Sequence, residues 1–175
     1  MWPKTLGVWA LVWLGLLTCT LPARADELPE YRLKAAFMYN FALFTEWPTK
    51  IGRTLDVCIA GIDPFGKEID ALQGKAVGER SINLQRKAGG ESLSGCHVVF
   101  ISQSAIGTLP RLLESLRGRP ILTVADTPGA ARQGVALNMT VAQNKITFEA
   151  NLTAARNAGL DLSSKLLRLA TEVYQ

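Results

Sequence analysis

"LDVCIAGI" (residues 55–62) is a short β-branched run that ends in glycine. A continuous apolar run of this length, bounded by a turn residue, reads as a strand covered on both faces, as in a parallel sheet. Two further runs have the same character, "CHVVFIS" (96–102) and "ILTVAD" (121–126). Cys58 lies inside the first run and Cys96 opens the second. A disulfide between them needs Cα atoms within about 7 Å. The two strands would then be neighbours, and the alternating strand "ERSINLQRK" (79–87) would be displaced to the outside. That is the doubly wound order 2-1-3-4, in which ligands bind where the order reverses. The alternative, two buried free thiols, leaves the order open.

The segments between these strands read as helices. "DPFGKEIDALQG" (63–74) has Asp63 as N-cap, Pro64 at the first helical position and Gly74 as its stop. "SAIGTLPRLLESLRG" (104–118) turns Leu109, Leu112, Leu113 and Leu116 inward before Gly118. Ahead of them, "KAAFMYNFALFTEWP" (34–48) belongs to a helix that should end at Trp47, because Pro48 disfavours helical geometry in the residue before it. At roughly 100° per residue, Leu33, Ala36, Phe37, Phe41, Phe44 and Trp47 form its core stripe. Asn40 falls inside that stripe, and Tyr39 with Leu43 widens it beyond what one core needs. After the third strand the pattern changes. "GVALNMTVAQNKITFEANL" (134–152) holds two alternating runs around Gln143-Asn144-Lys145, an antiparallel hairpin. Residues 153–174 read as a short and a longer helix parted by Gly159, the latter carrying Leu166, Leu167, Leu169 and Val173. The fold class is therefore α/β: a single domain with a mostly parallel, doubly wound sheet, helices on both faces and a C-terminal antiparallel hairpin.

The N-terminus bounds the compartment. Lys4, the apolar run "TLGVWALVWLGLL" and Ala23/Ala25 in A-x-A spacing form a secretory signal peptide over residues 1–25, with cleavage after Ala25. Lipidation at Cys19 is disfavoured, because Thr18 fills the place of the usual small residue. The mature domain is then 26–175, exported to the periplasm and not inserted in the membrane. Its size suits one core. Loss of Lys4 and Arg24 lowers the net charge from +4 to +2, and no basic block remains to support nucleic-acid binding. Of three cysteines, Cys58 and Cys96 survive cleavage, and in an oxidising compartment they most simply form one disulfide.

No motif assembles catalytic chemistry. "GIDPFGK" (61–67) matches G-x-x-x-x-G-K, but Glu68 stands where a P-loop needs Ser or Thr for magnesium, and Pro64 lacks an N–H for phosphate. His97 is the only histidine and lies on a strand, with no G-x-S-x-G elbow elsewhere. No zinc set, other metal site or cofactor motif follows from these residues. Asn138-Met-Thr140 and Asn151-Leu-Thr153 read as chance sequons. Asp63, Ser102, Ser104, Asp126 and Thr127 follow the C-terminal ends of the predicted parallel strands, where ligand crevices form. The competing reading makes Asp63 and Ser102 or Ser104 simple helix caps.

"YRLKAAFMYNFALFTEWP", "CIAGIDPFG", "CHVVFIS", "ILTVADTPG" and "FEANLTAARNAGLDLSSKLLRLA" together resemble the YfiR family of bacterial periplasmic proteins, in the family's order and over nearly all of the mature chain. The resemblance implies an exported, non-enzymatic α/β domain. Its best-studied members bind the periplasmic sensor domain of a membrane-bound diguanylate cyclase and repress it, lowering cyclic-di-GMP and biofilm formation. It also implies the Cys58–Cys96 disulfide. Some members carry a second bridge nearer the C-terminus, for which this chain has no cysteines. The Tyr39/Leu43 flank becomes the expected partner surface, for the cyclase domain or for a second copy in a homodimer; the competing reading has the 153–174 helices cover it within the monomer. The other reading is a small-ligand sensor that uses Asp63, Ser102, Asp126 and Thr127.

Overall fold

The computed structural model, which describes residues 30–143 and 145–175, begins with helix α1 (Glu30–Leu43). The signal-peptide and cleavage readings, Cys19 and the turn residue Asn144 lie outside the described residues. After α1 come β1 (Thr45–Glu46), β2 (Thr54–Ala60), a 3-10 helix (Gly66–Leu72), β3 (Ala76–Val77), β4 (Arg80–Lys87) and β5 (Val98–Ile101). A second 3-10 helix (Gln103–Thr108) leads into α2 (Leu109–Leu116), followed by β6 (Leu122–Ala125), β7 (Leu137–Ala142) and β8 (Lys145–Asn151). The chain closes with α3 (Leu152–Asn157), β9 (Asp161–Leu162), α4 (Ser164–Leu167) and β10 (Glu172–Tyr174).

Eight strands form one sheet in the order β10-β8-β7-β6-β5-β2-β4-β3. The five central strands β4, β2, β5, β6 and β7 are parallel, with Cys58 opposite Gln85 on one side and Val99 on the other. β7 and β8 make the expected antiparallel hairpin. The order β4-β2-β5-β6 is the 2-1-3-4 order that Cys58 and Cys96 imply, and the two cysteines are joined, with Cα atoms 5.9 Å apart. The bridge ties the middle of β2 to the residue that leads into β5, and both cysteines are buried.

Alternation along the strands divides the core. Leu55, Val57, Ile59, Val98, Phe100 and Val124 face α1 and the first 3-10 helix. Cys58, Ala60, Val99, Ile101 and Ala125 face α2, which contributes Leu109 and Leu116. The sheet is thus covered on both faces, and so its central strands are apolar throughout.

Several elements depart from the sequence expectation. Helix α1 ends at Leu43 rather than Trp47. Its last carbonyls are taken by side chains from beyond the helix: Thr45 Oγ1 donates to Phe41 O (2.7 Å) and Trp47 Nε1 to Ala42 O (2.9 Å). β1 then pairs with β9, which pulls the chain out of helical geometry before Pro48 acts. The core stripe is also rotated. Lys34, Ala35, Met38, Phe41 and Ala42 are the buried positions, while Ala36 and Asn40 are exposed and Phe37, Phe44 and Trp47 are half-buried. The small Ala35 and Ala42 face the sheet, and Phe41 packs edge-on to Phe148 of β8, centroids 5.1 Å apart.

Residues 63–74 form a 3-10 rather than an α-helix, and Asp63 does not cap it. Its Oδ1 accepts the Phe65 N–H (2.7 Å), a turn made by an aspartate on its own backbone. The 104–118 helix is 3-10 up to Thr108, since Pro110 lacks the N–H that an α-ladder would need there. The longer helix expected near the C-terminus is only α4, and Glu172–Tyr174 form β10 alongside β8. The edge of β8 explains this. An open edge presents unpaired backbone groups, and β10 supplies partners for them.

Replacing both Cys58 and Cys96 by alanine should lower stability by about 4 kcal/mol, the loop-closure value for a bridge of this span. Phe41→Ala should cost about 3–5 kcal/mol as a truncation in a packed core. Urea unfolding of the purified variants measures both. Wild-type midpoints in the double cysteine variant would remove the bridge's energetic role.

Candidate functional site

The C-terminal ends of β2, β5 and β6 carry the residues singled out in the sequence. Beyond β2, Gly61 adopts φ +95°, and a Cβ there would lie 2.4 Å from Ser102 Oγ and 2.6 Å from Ser104 Oγ. Only glycine fits that approach. Ser102 is buried and donates from Oγ to Ala60 O (2.9 Å). Its hydroxyl also meets Ser104 Oγ at 2.8 Å, and Ser104 Oγ accepts the Ile62 N–H at 2.8 Å. The two serines therefore stitch the end of β5 to the end of β2.

Asp63 is held by Arg86 of β4, whose Nε donates to Oδ2 at 2.6 Å. The same guanidinium reaches Asp70 Oδ1 (2.7 Å) and Gly66 O (2.8 Å). Hydrogen bonds to Asp70 and Asp63 hold Arg86 above its ordinary value. Asp126, after β6, sits on the α1 side. Its Oδ2 accepts from Lys34 Nζ at 2.7 Å and from Tyr31 OH at 3.1 Å. Lys34 also pairs with Glu30 and lies 4.5 Å above the Tyr31 ring. Burial alone would lower the Lys34 ammonium, but hydrogen bonds to Asp126 and Glu30 outweigh it and hold the group above its usual value. Burial, followed by the charge of Asp126, raises the Tyr31 phenol. Thr127 Oγ1 is buried with no hydrogen-bond partner.

No side-chain hydrogen bond joins any two of Asp63, Ser102, Asp126 and Thr127. Three of the four spend their polar atoms on the protein itself. The open space lies next to them, in a cleft of about 1040 Å³ between the end of β2, the 88–95 loop and α2. Ala60, Gly61, Ile62 and Ser104 line it; of the five strand-end residues singled out in the sequence only Ser104 does, and Asp63, Ser102, Asp126 and Thr127 do not.

His97 serves the opposite end of the sheet. Its Nδ1 accepts the Asp56 N–H at 2.9 Å, which requires the neutral ring. Burial lowers its pKa, and the nearby Asp56 carboxylate only partly opposes this. Asp56 Oδ1 in turn accepts from Asn83 and Gln85, each at 2.7 Å. Asn151, in one of the sequons, caps α3 by accepting the Ala154 N–H (2.8 Å).

The expected partner flank divides. Leu43 is 41% exposed. Tyr39 is half-buried, its OH donates to Ala76 O of β3 (2.8 Å), and Lys75 Nζ lies 4.9 Å over its ring. Three residues that organise these sites were missed in the sequence: Tyr31, Lys34 and Arg86. Lys34 carried a signal, a cation one helical turn from Glu30.

The family model described as YfiR/HmsC-like matches residues 31–171 of this chain. That span takes in all of α1 but its first residue, the five central parallel strands, the disulfide and the hairpin, and stops just before β10. The chain belongs to that family.

Asp126→Ala should destabilise by about 3–5 kcal/mol, because it leaves a buried ammonium short of its counter-charge. The apolar pair Lys34→Met with Asp126→Leu should recover most of that loss. Since folding raises the Lys34 pKa, the pair's contribution is complete at neutral pH and is lost only as pH rises through the raised value. His97 behaves oppositely. Folding depresses its pKa, so stability is full above roughly pH 6.5, the unfolded value, and falls below it as the unfolded chain takes up a proton. His97→Asn keeps an acceptor near Asp56 and should remove that part of the acid sensitivity. Urea midpoints at neutral and mildly acidic pH, compared between wild type and variant, check it. Equal acid losses in both would assign the sensitivity to other groups.

Proposed function

We propose that this YfiR/HmsC-like chain is an exported, non-catalytic repressor that binds the periplasmic sensor domain of a membrane-bound diguanylate cyclase, and so lowers cyclic-di-GMP and biofilm formation. Members of the family are periplasmic regulators of diguanylate cyclases, which supports the compartment and the class of partner. A disulfide-bonded pair of cysteines suits an oxidising space. Among the described residues no helix is long and apolar enough to cross a membrane.

The observation that carries this reading is Leu43. It is a large apolar side chain left open on a helix whose opposite face is core. A helix face that enters a partner's groove is a common mode of recognition. Tyr39 forms the shoulder of the same flank, fixed against β3. The second occupant of this surface would be another copy of the chain.

A small-ligand sensor is the second reading, and the cleft beside Gly61 favours it. Asp63, Ser102 and Asp126 would then act indirectly, by shaping the strand ends.

Leu43→Glu should be exported and melt like the wild type, yet fail to lower cyclic-di-GMP when co-expressed with the cognate cyclase. A charge placed in a desolvated apolar contact removes the gain from burial. Phe41→Ala should lose stability first, with repression declining in step. Full repression by a stably folded Leu43→Glu variant would move the partner surface off α1.

A further inference from the structure

We propose that the cleft between the 88–95 loop and α2 is a binding site for a small amphipathic anion, an apolar body bearing a carboxylate or phosphate. The position follows from topology. The chain leaves β2 towards the α1 face, where Ile69 and Leu72 of the first 3-10 helix enter the core. It leaves β5 towards the other face, where Leu109 and Leu116 of α2 pack. The two connections diverge, and a crevice opens at the C-terminal ends of β2 and β5. That is the switch point at which open α/β sheets bind ligands.

The lining specifies the chemistry. Ala60, Leu93, Ala105, Leu112 and Leu116 provide an apolar floor. Lys87, Arg111 and Arg119 line the same cleft, and among the described residues none of the three makes a salt bridge or a side-chain hydrogen bond. By contrast Arg117, just outside, is neutralised by Glu114 at 2.7 Å. Glu91 is the single carboxylate in the lining, and its Oε1 accepts the Ala88 N–H (2.8 Å). Three cations against one carboxylate over an apolar floor select an anion with a greasy body.

The site is also pre-formed. Its volume of about 1040 Å³ is at the upper end of small-molecule sites. Cys58 and Cys96 share a core cluster with Ala60 and Leu116, so a covalent bond braces the floor. The Ser102–Ser104–Ile62 hydrogen bonds brace the strand ends. Little ordering then remains to oppose binding.

Fluorescence titration of the purified exported chain with anilinonaphthalene sulfonate tests the proposal, with decanoate, decyl phosphate, decanol and decyltrimethylammonium as competitors. Saturable binding is expected, displaced by the two anions and not by the alcohol or the cation at equal concentration. The ranking of decanoate against decyl phosphate identifies the preferred head group. Arg111→Glu with Arg119→Glu should weaken binding by about tenfold or more, and added salt should weaken the wild type. Ser115→Trp, an exposed change that fills the cleft, should do the same without touching charge. Both variants lie on the surface and should melt like the wild type. Absence of saturable binding, equal displacement by the cation, or wild-type affinity in both variants would overturn the site.

Discussion

The Lys34 ammonium, on a side chain only 5% exposed, is held between Glu30 one turn back and Asp126 at the end of β6. An unpaired charge at that depth would be strongly disfavoured, so α1 takes the rotation that delivers Lys34 to Asp126. That rotation sends Ala35, Met38, Phe41 and Ala42 into the core. It turns Asn40 to solvent, leaves Phe37 to pack edge-on against Phe41 and Phe148, and leaves Leu43 open. One ion pair therefore sets both what the helix buries and what it leaves exposed. Tyr31 extends the same clamp through its hydroxyl and stacks edge-on to Phe65, which reaches Phe100 of β5.

The opposite face is organised by the Cys58–Cys96 bridge. It keeps β2 beside β5 and so preserves the reversal of strand order between them. The chain exits in opposite directions from the two strand ends, and the cleft beside α2 is the space this leaves. The molecule thus carries two distinct surfaces on opposite faces of one sheet: an apolar flank on α1 and a cationic cleft at α2. The central strands β2, β5 and β6 lie beneath both, and they are short, buried and parallel.

Much of the fold was legible because its signals are local. Three apolar runs and two cysteines were enough for the order of the four strands, and the alternation around Gln143 was enough for the hairpin. The errors came where distant partners override local pattern. Trp47 belongs by periodicity to α1, yet its indole caps Ala42 from outside the helix. Leu169 and Val173 keep helical spacing, but the open edge of β8 recruits Glu172–Tyr174 as a strand and leaves Leu169 70% exposed. Asp126 sat in the right place for a crevice residue. Its partner, however, is a lysine 92 positions earlier, a pairing no spacing rule reveals. Arg86 was hidden in the same way within an alternating strand. The cleft cations Lys87, Arg111 and Arg119 lie at the end of β4, in α2 and in the turn after α2, and come together only through the fold.

The account rests on α1 presenting its Leu43 flank to a partner. A photo-crosslinking amino acid placed at position 43, and in separate variants at two of the other exposed apolar positions, 141 and 169, tests this most directly in cells that contain the cognate cyclase. The account predicts a crosslink to the cyclase's periplasmic domain from position 43 and none from 141 or 169. Capture from 141 or 169 with none from 43 would contradict it, and would put the partner surface at the hairpin or the C-terminal edge of the sheet.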